Sequence, residues 1–291
     1  MRRIATLILV LLAAPMAIAA PPPKALATDP APDKAHPATM VVLHIPTVGA
    51  TINGIAYVPG GAGPHPMLVI CHGLPGNEKN LDLAQAARRA GWVAVTFNYR
   101  GSWGSPGAFS FSGNLEDAAA VLAHLRDPAT AATLRADPTR IVLAGHSMGG
   151  WVTAKTAERD AHLLGAILIS AADFSRVAKV PHAELTALMA DNMEALAGVT
   201  AESMAHEVET NGANYSLRDV GALRDTPLLV LTSNDGLAPH ADALVADIRA
   251  QGGAHVTTAH VATDHGWSDR RIELETRILR WLGRLPRPAG P

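Results

Sequence analysis

The sequence predicts an α/β fold: a mostly parallel, eight-stranded sheet with helices on both faces and a short helical cap. Three observations predict it. From residue 40 onward, short apolar runs rich in β-branched residues alternate with longer stretches of helical period. Most of these runs are apolar throughout rather than alternating, which is the pattern of strands covered on both faces. The first two adjoin with no helix between them, so they form an antiparallel pair at the start of an otherwise parallel sheet.

The strands are expected at Met40 to Ile45, Gly54 to Val58, Met67 to Cys71, Trp92 to Tyr99, Arg140 to Ala144, Ala166 to Ser170, Pro227 to Thr232 and His255 to Val261. Helices are expected at Asn80 to Ala90, Leu115 to Leu125, Met148 to Asp160, His240 to Gln251 and Asp269 to Leu282. Residues 171–226 break the rhythm. About fifty residues there separate two strands and carry Met189, Met193 and Met204 among many Ala and Leu, with helical spacing of their own. An excursion of that length is expected to cap one end of the sheet. Its methionines either line a soft apolar pocket or form the inward faces of cap helices.

Ahead of the sheet lie two segments of different composition. Arg2 and Arg3 precede the apolar run Ile4 to Leu12, which leads through Pro15 to the small-x-small site Ala17-Ile18-Ala19, the order of a secretory signal. Cleavage is expected after Ala19, because cleavage one residue later would place Pro21 at the new N-terminus. The apolar run is shorter than the ~20 residues that span a bilayer, which disfavours an uncleaved anchor. Residues 1–19 thus read as a signal peptide and the mature protein as exported, periplasmic or secreted, with no membrane anchor. Residues 20–39 hold six prolines and few bulky apolar side chains, and read as a linker that forms no packed element.

Composition narrows the function. The 291 residues are 48% apolar and 17% charged, enough for one large core covering residues 40–291. With 24 Lys and Arg against 26 Asp and Glu the net charge is −2, and loss of Arg2 and Arg3 makes it −4, so the basic footprint of a nucleic-acid binder is absent. Cys71 is the only cysteine, which excludes an internal disulfide and a multi-cysteine metal site.

The chemistry concentrates at Gly145-His146-Ser147-Met148-Gly149, directly after the strand that ends at Ala144 and directly before a helix. The bare G-x-S-x-G pattern is weak, but strand, tight turn and helix in that order are what a nucleophile elbow requires. Such a turn lifts the Ser147 hydroxyl above the sheet edge at a helix N-terminus, where dipole and free N–H groups favour a developing oxyanion. The Met148 N–H is one expected donor. A second is expected from His72-Gly73-Leu74, the turn after the strand Met67 to Cys71, with the Leu74 N–H chosen for that role.

A serine hydroxyl needs a neutral imidazole to accept its proton, and the imidazole needs a carboxylate to set its tautomer. Thirteen histidines make position decisive. His265 lies in the loop between the last strand and the last helix, at the carboxyl edge where ligands of open α/β sheets bind. His260 sits within the strand and reads as structural. Asp235 follows the strand Pro227 to Thr232 at the same edge. Asp264 is its rival, but adjacent side chains point apart in an extended loop, which favours Asp235. The order is then Ser147, Asp235, His265.

On these residues, together with the loop Asn98-Tyr99-Arg100-Gly101-Ser102-Trp103-Gly104-Ser105-Pro106-Gly107, the chain resembles the α/β-hydrolase family from residue 40 to its end. The loop is similar to that of members grouped with dienelactone hydrolases and prolyl-oligopeptidase-like enzymes. The resemblance implies a Ser-Asp-His hydrolase that uses no metal and no organic cofactor. No stretch is long enough for the β-propeller of the oligopeptidases. Because one scaffold carries many chemistries, fold alone does not choose the substrate.

The reading is an exported serine hydrolase acting on a small-molecule ester of modest size through an acyl-enzyme on Ser147. A serine peptidase acting on short peptides, with Glu184, Asp191 or Glu194 of the cap holding the substrate amine, is the alternative. A binding protein that kept the pocket is a third reading, against which the full set Ser147, Asp235 and His265 argues. Arg100 either binds a substrate carboxylate or ties neighbouring loops together. Cys71 is expected to be a buried filler, and Trp151 and Trp267 either wall the pocket or pack in the core.

Overall fold

The computed structural model describes residues 20–286. The predicted signal peptide, residues 1–19, lies outside the described residues. Among the described residues there are eight strands: β1 (Thr39–Thr47), β2 (Ala50–Val58), β3 (His65–Cys71), β4 (Val93–Phe97), β5 (Ala136–His146), β6 (Gly165–Ile169), β7 (Leu228–Thr232) and β8 (Val256–His260). They form one sheet in the order β1-β2-β4-β3-β5-β6-β7-β8. The antiparallel start is as expected, and it has a second junction: β2 is antiparallel to both β1 and β4, so β2 alone runs against the rest.

The helices are α1 (Leu81–Arg89), α2 (Phe111–Arg126), α3 (Pro128–Thr133), α4 (Met148–Ala157), α5 (Phe174–Val177), α6 (His182–Ala190), α7 (Ala201–Asn211), α8 (Ala238–Ala250) and α9 (Arg271–Leu282). The period-2 geometry of the strands divides the core into two layers. From β3, Met67, Val69 and Cys71 pack with Val121 and Leu122 of α2, Trp151 of α4 and Leu244 of α8. The intervening Leu68 and Ile70 pack on the other face with Leu83 of α1 and Ile278 of α9. Strands buried on both faces explain the uninterrupted apolar runs.

Several elements differ from the sequence reading, and β2 and β5 each begin four residues earlier than expected, at Ala50 and Ala136. Helix α2 begins four residues earlier than expected because the Ser110 hydroxyl accepts the Gly113 N–H at 3.0 Å and caps it there. Helix α3 was not anticipated, although Asp127 caps it and Pro128 occupies its first turn. Residues 20–39, read as a linker forming no packed element, in fact lie along the domain. A 3₁₀ turn over Lys24–Leu26 sets Ala25 and Leu26 against the α1/α9 layer. Arg89 Nε donates to the Ala25 carbonyl at 2.5 Å, Arg280 Nη2 to Pro21 at 2.8 Å and Arg135 Nη2 to Pro37 at 2.9 Å. Proline-rich backbone leaves its carbonyls unpaired, and long guanidinium side chains reach them.

Residues 171–226 contain α5, α6, α7 and two 3₁₀ turns. Their 193–198 stretch clasps the 100–109 loop: Trp103 N–H donates to Ala195, Phe109 N–H to Ala197, and Ala197 N–H to Gly101. Met189 and Met204 are buried in the core, and Met193 is partly buried against it. Of the two readings given above, inward cap faces describe Met189 and Met204.

Arg100 ties loops together. Its Nη1 donates to the Val48 carbonyl at 2.8 Å and its Nη2 to the Gly113 carbonyl at 3.0 Å. Its Nε lies 2.7 Å from Oδ1 of the fully buried Asp117, in ion contact though off hydrogen-bond alignment. Removing one partner of a buried pair leaves the other uncompensated. Arg100→Met is therefore expected to lower the urea unfolding free energy by roughly 3 kcal/mol. Unchanged stability with a raised KM for an anionic substrate would instead make Arg100 a substrate ligand.

Candidate active site

Three glycines frame the turn at Ser147. A Cβ on Gly145 would lie 1.9 Å from the Gly149 carbonyl oxygen, and one on Gly149 would lie 2.1 Å from the Cys71 carbonyl oxygen. A Cβ on Gly150 would meet Ala171 Cβ at 2.7 Å. No side chain fits at these positions, so β3, β5, β6 and the start of α4 converge within backbone contact. Ser147 itself has φ +58° and ψ −120°, a conformation that L residues rarely adopt. Its N–H donates to the Ile169 carbonyl at 2.9 Å and its carbonyl accepts from Ala172 at 3.1 Å, which anchors the strained residue to the end of β6.

The His72-Gly73-Leu74 turn lies against the serine: a Cβ on Gly73 would be 3.1 Å from Ser147 Cβ. Among the described residues, neither the Leu74 nor the Met148 N–H has a protein acceptor, so both are free for a ligand oxygen. Trp103 holds this turn from the side, its Nε1 donating to the Pro75 carbonyl at 2.6 Å.

His265 Nδ1 and Asp235 Oδ2 are 2.8 Å apart. Oδ1 of the same carboxylate accepts the Leu237 N–H at 2.9 Å. Burial alone would raise the Asp235 pKa. Hydrogen bonds from His265, Leu237 and Ser233 outweigh it and hold the carboxyl well below the ordinary carboxylate range. Asp264 is engaged elsewhere, its Oδ1 accepting the Ser268 N–H at 2.7 Å. His260 is held by Thr232 and Asn234, each at 2.9 Å.

One residue that sequence reasoning passed over joins the two halves of the site. His146, immediately before Ser147, donates its Nε2–H to the His265 carbonyl at 2.8 Å, with the two rings 4.6 Å apart. Its place inside the G-x-S-x-G motif was the only signal, and that signal does not say where the side chain points. His265 is thus held twice, at its ring by Asp235 and at its backbone by His146. The Ser147 hydroxyl makes no hydrogen bond to His265 in this structure, and such contacts tighten when substrate arrives.

Trp151 and Trp267 are fully buried. Trp151 Nε1 donates to Tyr215, and Trp267 Nε1 donates to Ser170, whose hydroxyl meets that of Ser233 beneath Asp235. Both tryptophans therefore pack in the core, and Trp267 braces the floor of the site. Burial pushes the Cys71 thiol up to about 12, which leaves it a neutral filler. Glu184, Asp191 and Glu194 are exposed, and Glu194 accepts from Asn77.

Residues 68–283 match the alpha/beta hydrolase family, and the chain belongs to it. Solved structures with the same fold include EstE1, a thermophilic carboxylesterase cloned from a metagenomic library, at 24% identity and TM-score 0.63, covering 90% of this chain and 93% of that one. An esterase from Pyrobaculum calidifontis is similar at 21% identity and TM-score 0.62, covering 84% and 86%. The alpha/beta hydrolase GrgF from Penicillium is similar at 16% identity and TM-score 0.64, covering 86% and 99%. A comparison with curated proteins gives no match.

Burial lowers the pKa values of His72 and His146 from 6.5 to about 4, with the His265 charge a further cause at His146. Below pH 6.5 the unfolded chain takes up protons on these rings and the folded chain does not, down to about 4. The stability they contribute is therefore complete above pH 6.5 and lost as pH falls toward 4. His146→Gln is expected to weaken the loss of unfolding free energy between pH 7 and 4.5 by about 2 kcal/mol, as measured by urea titration at each pH. An unaltered pH dependence would mean that His146 is protonated in the folded protein.

Proposed function

We propose that the protein is a serine hydrolase that cleaves a carboxylic ester of modest size through an acyl-enzyme on Ser147. The observation that carries this reading is the hydrogen-bonded pair Asp235–His265 tied through His146 to a strained serine at a helix N-terminus.

In this mechanism His265 Nε2 takes the Ser147 hydroxyl proton as Oγ attacks the ester carbonyl carbon. The carbonyl π electrons move onto oxygen, and the Met148 and Leu74 N–H groups donate to that oxyanion. Collapse of the tetrahedral intermediate breaks the bond to the leaving oxygen, which receives the proton from His265, and the alcohol departs. Water then adds to the acyl carbon with His265 again as base, and a second collapse restores Ser147 and releases the acid. Asp235, held ionised, stabilises the imidazolium in both halves. His146 keeps the His265 backbone from retreating as its ring changes charge. No residue in this sequence of steps requires a metal or an organic cofactor. The order of residues 2–19 supports export, with the mature protein beginning at Ala20.

The neighbours described as esterases support an ester as the substrate class, and the exposed acids of the cap offer no enclosed site for a peptide amine. A panel of p-nitrophenyl esters of increasing acyl length, beside aminoacyl and dipeptidyl nitroanilides, tests it. Hydrolysis of the esters and not of the anilides is expected. Turnover confined to the anilides would make the protein a peptidase, and silence on both, together with no labelling by a fluorophosphonate, would favour a binding protein.

On the best ester, Ser147→Ala and His265→Ala are expected to lower kcat at least about a thousandfold, since these groups act as a unit. Asp235→Asn should lose roughly a hundredfold or more with little change in KM. Near-normal kcat in Asp235→Asn, with loss in Asp264→Asn, would reassign the acid.

A further inference from the structure

The turn that carries the Leu74 N–H is pinned by three side chains. His72 Nδ1–H donates to the Gly73 carbonyl at 2.8 Å, and Asn77 Nδ2 donates to Glu194 of the cap at 2.5 Å. Between them, Trp103 Nε1 donates to the Pro75 carbonyl at 2.6 Å. Among the described residues that carbonyl has no other donor.

Neither backbone preference nor core packing accounts for a tryptophan at position 103. Its φ is +50°, in a loop whose other positive-φ positions, 101, 104 and 107, are all glycine. Glycine enters that region without strain and a bulky aromatic does not. The residue is 37% exposed, so burial offsets little of the strain. A strained conformation persists only where its surroundings over-determine it, and such residues gather at functional sites.

Trp103 is held in that way on every side. Its backbone N–H donates to Ala195 of the cap at 2.9 Å, and its carbonyl accepts from Asn98 Nδ2 at 3.3 Å. Lys79, bonded to Asn98 Oδ1 at 3.1 Å, sets its ammonium 4.1 Å from the centre of the indole ring. The indole N–H, the one polar group of the side chain, is thereby aimed at Pro75.

We infer that Trp103 is a positioning residue, which aims the Leu74 N–H at the developing oxyanion and ties that donor to the cap through Ala195; the inference rests on the hydrolase reading above. The Gly73 carbonyl and the Leu74 N–H belong to one planar peptide, so His72 fixes that plane from one side. On the other side the proline ring locks φ of Pro75, and anchoring the Pro75 carbonyl leaves few free rotations back to Leu74. Loss of the indole N–H releases this second anchor. The donor is then misaligned for an oxygen whose charge exists only in the transition state, which lowers kcat and leaves substrate binding in place.

Trp103→Phe keeps an aromatic ring and removes the donor. On the best p-nitrophenyl ester, with active sites counted by fluorophosphonate titration, kcat per site is expected to fall roughly tenfold to thirtyfold with KM within about twofold. Affinity for an alkyl boronic acid, which forms a tetrahedral anion on the nucleophile, should fall by a similar factor. A purely structural role would reduce the number of active sites while kcat per site and boronate affinity stay unchanged, and that result would overturn the inference. So would a raised KM at unchanged kcat, since Trp103 would then be a substrate contact. Should Trp103→Phe not fold, amide hydrogen exchange in the unaltered chain is followed with and without the boronate. Exchange in residues 73–77 and 100–107 is expected to slow together, and slowing of 73–77 alone would overturn the link. These outcomes leave the hydrolase reading intact. Ester turnover absent from the unaltered chain, or surviving Ser147→Ala, would remove that reading and this inference with it.

Discussion

The close approach of backbones around Ser147 is the constraint on which the rest of this molecule depends. Gly145, Gly149 and Gly150 remove the side chains that would separate β3, β5, β6 and α4, and the chain can then reverse direction within one residue. That residue has φ +58°, which an L amino acid adopts only when its surroundings over-determine it. Here they do so through the Ile169 carbonyl, the Ala172 N–H and the Gly73 turn pressed against Ser147 Cβ. The strain is therefore held by the sheet itself, and the hydroxyl emerges at a helix N-terminus.

Electrostatics completes what packing begins. Around a half-exposed His265 the protein places an ionised carboxylate on one side and a neutral buried imidazole on the other. Each holds a different part of His265, ring and carbonyl, so the imidazole is oriented without being buried. Below Asp235, the Ser233–Ser170–Trp267 chain gives the carboxylate a polar floor inside an otherwise apolar layer. Backbone strain recurs there, with Ser170 and Trp267 both at positive φ.

The sheet was legible from residue types because every central strand is buried on both faces and so spells an uninterrupted apolar run. The proximity of His265 and Asp235 was legible too, because both end at the carboxyl edge of neighbouring strands, β8 and β7. What stayed hidden depended on long-range hydrogen bonds. His146 gives no hint in the sequence that it faces His265, 119 residues away. Nor does a proline-rich stretch show that arginines at 89, 135 and 280 will take its carbonyls. Arg100 was ambiguous because a guanidinium serves a substrate carboxylate or Asp117 equally well, and only the packing of α2 decides. Helix α3 was missed because six residues are too few to show a period, although Asp127 and Pro128 mark its start.

The central claim is that the strained turn makes Ser147 a nucleophile that carries the acyl group. Rapid mixing with a p-nitrophenyl ester, quenching in acid and measuring the intact mass tests it most directly. The account predicts a burst of nitrophenol near one equivalent and a mass increase equal to the acyl group, located on the peptide containing Ser147 and absent from Ser147→Ala. Steady ester turnover with no acyl adduct at any time, or an adduct on a different residue, would contradict it.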